Sequence, residues 1–243
     1  MKRFTVEVAE HLAIKFRNDA QLSRTEPISL YSVLLNKGIL TVFRPMSSDA
    51  CGLSTMSRDK KSRYILVNSS RSIGRQRFTI AHELYHLYFD ENPEPHMCFE
   101  NYGKKNIKEA NADMFASALL MPSEGIIASI PDEELKNNQI SLASVMRLEQ
   151  VYGVSHQAMC YRLKRLKLIN EDRLQELLGI SVSRTAQSFG YSSKIYDDGD
   201  GRKDVVGDFI SKAKVLLDAE KISEGHYLEL NNLIADEESK DCP

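Results

Sequence analysis

Phe78-Thr-Ile-Ala-His-Glu-Leu-Tyr-His86 is the stretch on which this sequence turns. Ile80, Ala81, Leu84 and Leu87 recur at three- and four-residue spacings, the pattern of one apolar helix face. The spacing predicts a helix beginning near Arg75, with Ser70 and Ser72 available as caps. On such a helix His82 and His86 lie one turn apart on the same face, so the two imidazoles can share one tetrahedral ion. Zinc suits that geometry, at one ion per chain. Glu83, beside the first histidine, is angled away from ligation, where its carboxylate can take a proton from an attacking water and later deliver it to a leaving amine.

A catalytic zinc site commonly has a third protein ligand and leaves its fourth position open, so another carboxylate or histidine must arrive from a second element. Glu109 is the best candidate, with Asp113 or His96 as the alternatives. Glu109 opens Glu109-Ala-Asn-Ala-Asp113, in which Asp113, one turn on, can accept the spare N–H of a liganding histidine. The periodicity predicts a helix from Lys108 to Met121, ended by Pro122. Its Ala112, Phe115, Ala116, Leu119 and Leu120 would pack on the Ile80 and Leu84 side of the first helix. Between the two, Asn92 to Asn106 contains Pro93, Pro95 and Gly103 and reads as a loop. Its His96 and Tyr102 are candidate donors to a tetrahedral oxyanion. Cys98, in the same loop, has no role assigned.

Upstream, helical periodicity covers Val6 to Phe16 and Ile28 to Leu35. Ile39 to Phe43 and Tyr64 to Val67 read as strands, with Gly52 to Met56 a weaker one, so the class is α+β with a small sheet beside helices. Downstream, Leu142 to Tyr152 and Ser155 to Leu168 are amphipathic helices joined at Gly153, the outline of a helix-turn-helix pair. Ser181 to Asp204, rich in Ser, Gly and Asp, reads as a linker before a helical hairpin near Val205 to Ala219 and Gly225 to Leu233.

With 32 Lys and Arg against 34 Asp and Glu, a formal charge of -2 gives no global field towards nucleic acid or membrane. Tyr161-Arg-Leu-Lys-Arg-Leu-Lys167 puts four cations in one helix that could track phosphates. With Glu149, Glu171 and Asp172 nearby, partner docking is the stronger reading of that helix, and direct DNA binding the weaker. The four cysteines lie far apart, as in a reducing compartment, and neither an export signal nor a run of about 20 apolar residues is visible. The expectation is a soluble, cytoplasmic protein with no membrane contact.

Three segments, Phe78 to His86, Glu109-Ala-Asn-Ala-Asp-Met-Phe-Ala-Ser-Ala-Leu-Leu-Met-Pro122 and Val154-Ser-His-Gln-Ala-Met-Cys-Tyr-Arg-Leu163, resemble the ImmA/IrrE family of metallopeptidases in content and order. The resemblance covers roughly Leu30 to Leu168. It implies a zincin-like metallopeptidase domain over 1–130 and a helix-turn-helix-like helical domain over 131–180, leaving 181–243 as linker and C-terminal hairpin. It also implies His82, His86 and Glu109 as zinc ligands and Glu83 as catalytic acid/base. The activity implied is intracellular endoproteolysis of a helix-turn-helix transcriptional repressor, encoded nearby, that relieves repression. The rival readings are a non-catalytic partner that docks on a repressor or antitoxin, and a DNA-binding regulator.

Overall fold

The structure, a computed structural model, describes residues 2–46, 49–90, 96–99, 106–137 and 139–232, with side chains described at all of these except 96, 97 and 99. It is α+β. Helix α1 (Val6–Asp19) starts at Thr5, whose hydroxyl accepts from the Val8 N–H, and α2 (Leu30–Asn36) starts the same way at Ser29. Gly38, at φ 62°, then turns the chain into strand β1 (Ile39–Arg44). Strands β2 (Ala50–Met56) and β3 (Arg63–Asn68) follow, then the long helix α3 (Ile73–Phe89) and strand β4 (His96–Phe99). Helix α4 (Ile107–Leu120) is capped by Asn106, which accepts from the Lys108 N–H.

The remaining helices are α5 (Ser123–Ser129), α6 (Asp132–Lys136), α7 (Leu142–Tyr152), α8 (His156–Arg165), α9 (Glu171–Leu178) and α10 (Val182–Ser188). Strand β5 (Asp204–Val206), α11 (Phe209–Asp218) and α12 (Glu224–Asn232) complete the described chain. Gly153, left-handed at φ 61°, makes the turn from α7 to α8.

The sheet has the order β4-β2-β3-β1-β5. β1 and β3 run parallel, with Thr41 opposite Ile65, and the other pairs are antiparallel. Three elements depart from the sequence reading. β4 stands within the stretch expected as a loop, because it gains its backbone partners from β2. In the stretch expected as a linker α10 forms, and β5, where the sequence reading has that linker give way to a helical hairpin, adds to the far edge of the sheet beside β1. Pairing across so much intervening chain leaves no periodic trace in a three-residue strand. Helix α3 also begins earlier than expected, at Ile73, and Ser72 makes no side-chain cap bond there. Gln76 instead donates to the Ser69 and Arg71 carbonyls at 3.2 and 2.6 Å, tying the helix start to the end of β3.

α3 lies between the sheet and α4, and one apolar cluster runs from Ala9 in α1 through Leu84, Phe115 and Leu119 to Leu174 and Leu177 in α9. Two buried arginines close the C-terminal end of α4, where a helix leaves carbonyls without intrahelical donors. Arg17 from α1 donates Nε and Nη2 to the Leu119 carbonyl at 3.1 and 2.6 Å, and Arg162 from α8 donates Nε to the Met121 carbonyl at 2.9 Å. The helix that carries Glu109 is thereby held from both sides. Among the described residues no helix is long and apolar enough to cross a membrane.

Candidate active site

α3 meets β2 at Gly52, where a Cβ would sit 2.5 Å from Thr79 Cγ2 and 2.8 Å from the Leu66 carbonyl. Only glycine lets the helix come this close to the strand. The approach brings Ser54 of β2 within 2.5 Å of Glu83, the hydroxyl donating to Oε2. Glu83 Oε1, although buried, has no hydrogen-bond partner among the described residues.

On the other side of α3, the fourth-residue spacing of His82 and His86 brings their Nε2 atoms to 3.1 Å. Glu109 reaches across from α4, with Oε2 3.2 Å from His82 Nε2 and Oε1 3.4 Å from His86 Nε2. All three side chains are buried, at 2%, 4% and 2% exposure. The outer nitrogens are both engaged: His82 Nδ1 lies 2.9 Å from Asp113 Oδ1, and His86 Nδ1 2.8 Å from Asp90 Oδ2.

Those partners assign the protons. A carboxylate only accepts, so each Nδ1 carries its hydrogen outward and each neutral imidazole turns the lone pair of Nε2 inward. Two such lone pairs and a carboxylate converging in a dry space repel one another unless a cation sits among them. Without a metal that cation is a proton. Burial works against charge on His82, but Asp113 and Glu109 outweigh it and push its pKa up to about 10. His86 is raised too, Asp90 and Glu109 prevailing over burial. The spacing also fits a larger cation: ligand atoms about 2.0–2.1 Å from a tetrahedral zinc lie roughly 3.3 Å apart, against the 3.1, 3.2 and 3.4 Å here. Residues and geometry therefore suit a small metal ion of zinc type.

Burial raises the Glu83 pKa, while His82 and His86 pull it back. A carboxyl placed in this way exchanges protons nearer to neutral pH than an exposed glutamate does. A cavity of about 500 Å³ opens beside the cluster and reaches His82, Glu109 and Asp113. Cys51 and Cys98 also line it, from neighbouring strands. The Cys51 thiol is held below its ordinary value by a hydrogen bond from Cys98 and by Arg75, and the Cys98 thiol is raised in turn.

The structure thus brings together His82, Glu83, His86, Glu109 and Asp113. The His96 side chain and the whole of Tyr102, expected as oxyanion donors, lie outside the described residues. Sequence reasoning passed over Asp90 and Ser54. Asp90 has a readable signal, because it stands four residues after His86, directly past the end of α3, within reach of that imidazole. Ser54 has none, since only the pairing of strand and helix brings it there.

The family follows from one comparison made on top of this geometry. The profile of Peptidase_M78, the IrrE N-terminal-like domain, matches residues 35–164, more than half of the 243-residue chain. The chain belongs to that family. Peptidase_M78 membership makes it a peptidase of the IrrE/ImmA type and implies a metal, and the match spans both the histidine helix and the Glu109 helix. No curated protein matches the chain.

Proposed function

We propose that this chain is a zinc-dependent endopeptidase in which His82, His86 and Glu109 hold the metal and Glu83 is the catalytic acid/base. The observation that carries the reading is the inward convergence of two Nε2 lone pairs and the Glu109 carboxylate, with both Nδ1 atoms tied outward to aspartates. Bound there, zinc would supply Lewis acidity towards the scissile carbonyl and the attacking water. The other parts are supplied by the chain itself. Glu83 takes the water's proton on its unpartnered Oε1 while the Ser54 hydroxyl holds Oε2, which fixes the direction of the carboxylate. It then delivers that proton to the departing amide nitrogen. Asp113 and Asp90 keep the two imidazoles in one tautomer and one orientation.

The substrate we propose is a helix-turn-helix repressor encoded near this chain, in the cytoplasm, so that cleavage relieves repression. The test uses Glu83→Gln, which keeps size and shape but removes the base. Co-expressed with the neighbouring repressor, the variant should keep its zinc and its partner while cleavage falls by roughly 10²- to 10⁴-fold. Intact-mass measurement of the repressor reads the outcome. Full reporter activation by Glu83→Gln with uncut repressor would show docking in place of catalysis.

A further inference from the structure

The cavity beside the metal cluster is rich in arginine. Among the described residues its lining holds Arg3, Arg75 and Arg165, with Glu109 and Asp113 as the carboxylates. Both acids are already within 3.2 Å of a His82 nitrogen. A divalent cation held among the histidines would add further positive charge beside Arg3 and Arg165.

The arginines are held there by specific contacts. The buried Asn111, midway between Glu109 and Asp113 on α4, accepts from the Phe4 N–H at 2.8 Å and donates to the Lys2 carbonyl at 3.0 Å. Asn111 therefore clamps the backbone on both sides of Arg3. The Phe4 ring packs edge-on against Tyr85 at 5.8 Å, which seats the N-terminal segment on the active-site helix. Arg165 ends α8 on the same cavity. Its guanidinium is pulled below its ordinary pKa by burial, and the neighbouring Arg162 and Arg3 push the same way against Asp113. Crowded, partly desolvated cations are relieved by an incoming anion. Arg75, near the start of α3, reaches the Cys51 sulfur at 3.6 Å from the opposite wall.

We propose that Arg3 and Arg165 form a carboxylate-binding subsite that selects substrates with an acidic group close to the scissile bond. The inference rests on the peptidase reading, and it adds a substrate class to it. A guanidinium pairs with a carboxylate through two parallel N–H donors, so the subsite specifies both charge and orientation. Gln157 and the half-exposed Tyr161 complete the same wall with uncharged donors. A side-chain carboxylate and a free chain terminus share this chemistry.

The test pairs synthetic peptides that carry a single Glu at successive positions with their Gln counterparts, each made with a free and an amidated C-terminus. Binding is measured on the zinc-loaded full chain carrying Glu83→Gln, and KM and kcat on the unsubstituted chain. At one position the amidated Glu peptide should bind about ten-fold more tightly than its Gln partner, the advantage falling on KM. Arg165→Gln and, independently, the exposed Arg3→Gln should each shrink that ratio, and Arg165→Glu should turn the preference towards a Lys peptide. If the advantage follows the free terminus and ignores the Glu, the subsite stands and its ligand is the chain end. Equal binding of all four peptide forms, or no binding of any, overturns the subsite. A preserved Glu advantage in binding with no cleavage of any peptide would instead leave the subsite standing and overturn the peptidase.

Discussion

Among the described residues, two separate buried histidine–carboxylate clusters stand out, one between α3 and α4 and the other between α7 and α8. In each, three side chains of metal-binding type bring their ligand atoms within 4.8 Å of one another: His82, His86 and Glu109 in the first, Glu149, His156 and Cys160 in the second. Residue types alone do not separate them. The direction of the lone pairs does. His156 Nδ1 lies 2.7 Å from Glu149 Oε1 and Nε2 lies 2.8 Å from the Leu177 carbonyl. A carboxylate and a carbonyl both only accept, so both nitrogens donate and the ring is an imidazolium with no lone pair to offer. Tyr196 closes the other Glu149 oxygen with a hydrogen bond of 2.7 Å. The second cluster is complete as an ion pair that locks α7, α8 and α9 together. The first turns two Nε2 lone pairs and a carboxylate onto one point, where a cation fits.

The largest expected effect divides the clusters by metal. His82→Ala or His86→Ala should leave the protein without bound zinc, because the remaining two donors no longer enclose an ion. His156→Ala should leave the zinc content at about one per chain. Elemental analysis of protein purified without chelator measures both, and zinc lost from the His156 variant but kept in the His82 variant would invert the comparison. Stability should follow the reverse order. His156→Ala leaves the fully buried Glu149 without its counter-charge, which costs about 3–5 kcal/mol in equilibrium unfolding. A loss below about 1 kcal/mol would mean that the ion pair contributes little, as a surface pair would.

The contrast also explains what could be read in the sequence. His82, Glu83, His86, Glu109 and Asp113 sit on two helices, where spacing alone fixes which side chains share a face, so their meeting is legible from the order of residues. The strands β1 and β3 announce themselves through β-branched and aromatic runs, and β2, with Thr55 as its one β-branched residue, does so only weakly. β5 does not, because three residues at Asp204 gain their strand character only from β1. His156 lies within a segment already singled out, yet its state is set by a carbonyl 21 residues on. The sheet edge, Ser54 and the N-terminal clamp on Arg3 are likewise products of long-range packing. The sequence reading puts the four cations from Arg162 to Lys167 on one helix, as a docking face more than a phosphate-tracking one, but α8 ends at Arg165, the buried Arg162 donates to the Met121 carbonyl and Arg165 lines the cavity.

Within the first cluster, the outer carboxylates should matter less than the ligands. Asp90→Asn and Asp113→Asn each keep the shape while weakening the hold on an imidazole tautomer, and should lower zinc affinity by about 10- to 100-fold in chelator competition. Asp90 should be the more sensitive, since its side chain is 6% exposed and that of Asp113 is 38% exposed and can be replaced by water. Equal affinity in wild type and both variants would remove the aspartates from any positioning role.

The smallest effect is a slope with pH, and it isolates the second cluster. Burial opposes charge on His156, but Cys160 and Glu149 overcome it and push the pKa up to about 10, above the ordinary value of 6.5. The folded state therefore keeps a proton that the unfolded chain releases once pH passes 6.5. Between there and about 10 the native form binds more protons than the unfolded one, so unfolding free energy falls as pH rises, by at most about 1.4 kcal/mol per pH unit for one group. Below 6.5 both states are protonated and the contribution is fully present. Zinc-saturated protein keeps the first cluster's histidines from titrating, which leaves His156 as the remaining buried histidine among the described residues. Denaturant unfolding at successive pH values between 6.5 and 9 should show the decline in the zinc-loaded protein and a flatter curve in His156→Gln, whose amide carries no charge to lose. A decline of the same steepness in both would assign the pH dependence to other groups and leave His156 neutral in the folded state, with one of its two hydrogen bonds reversed or broken.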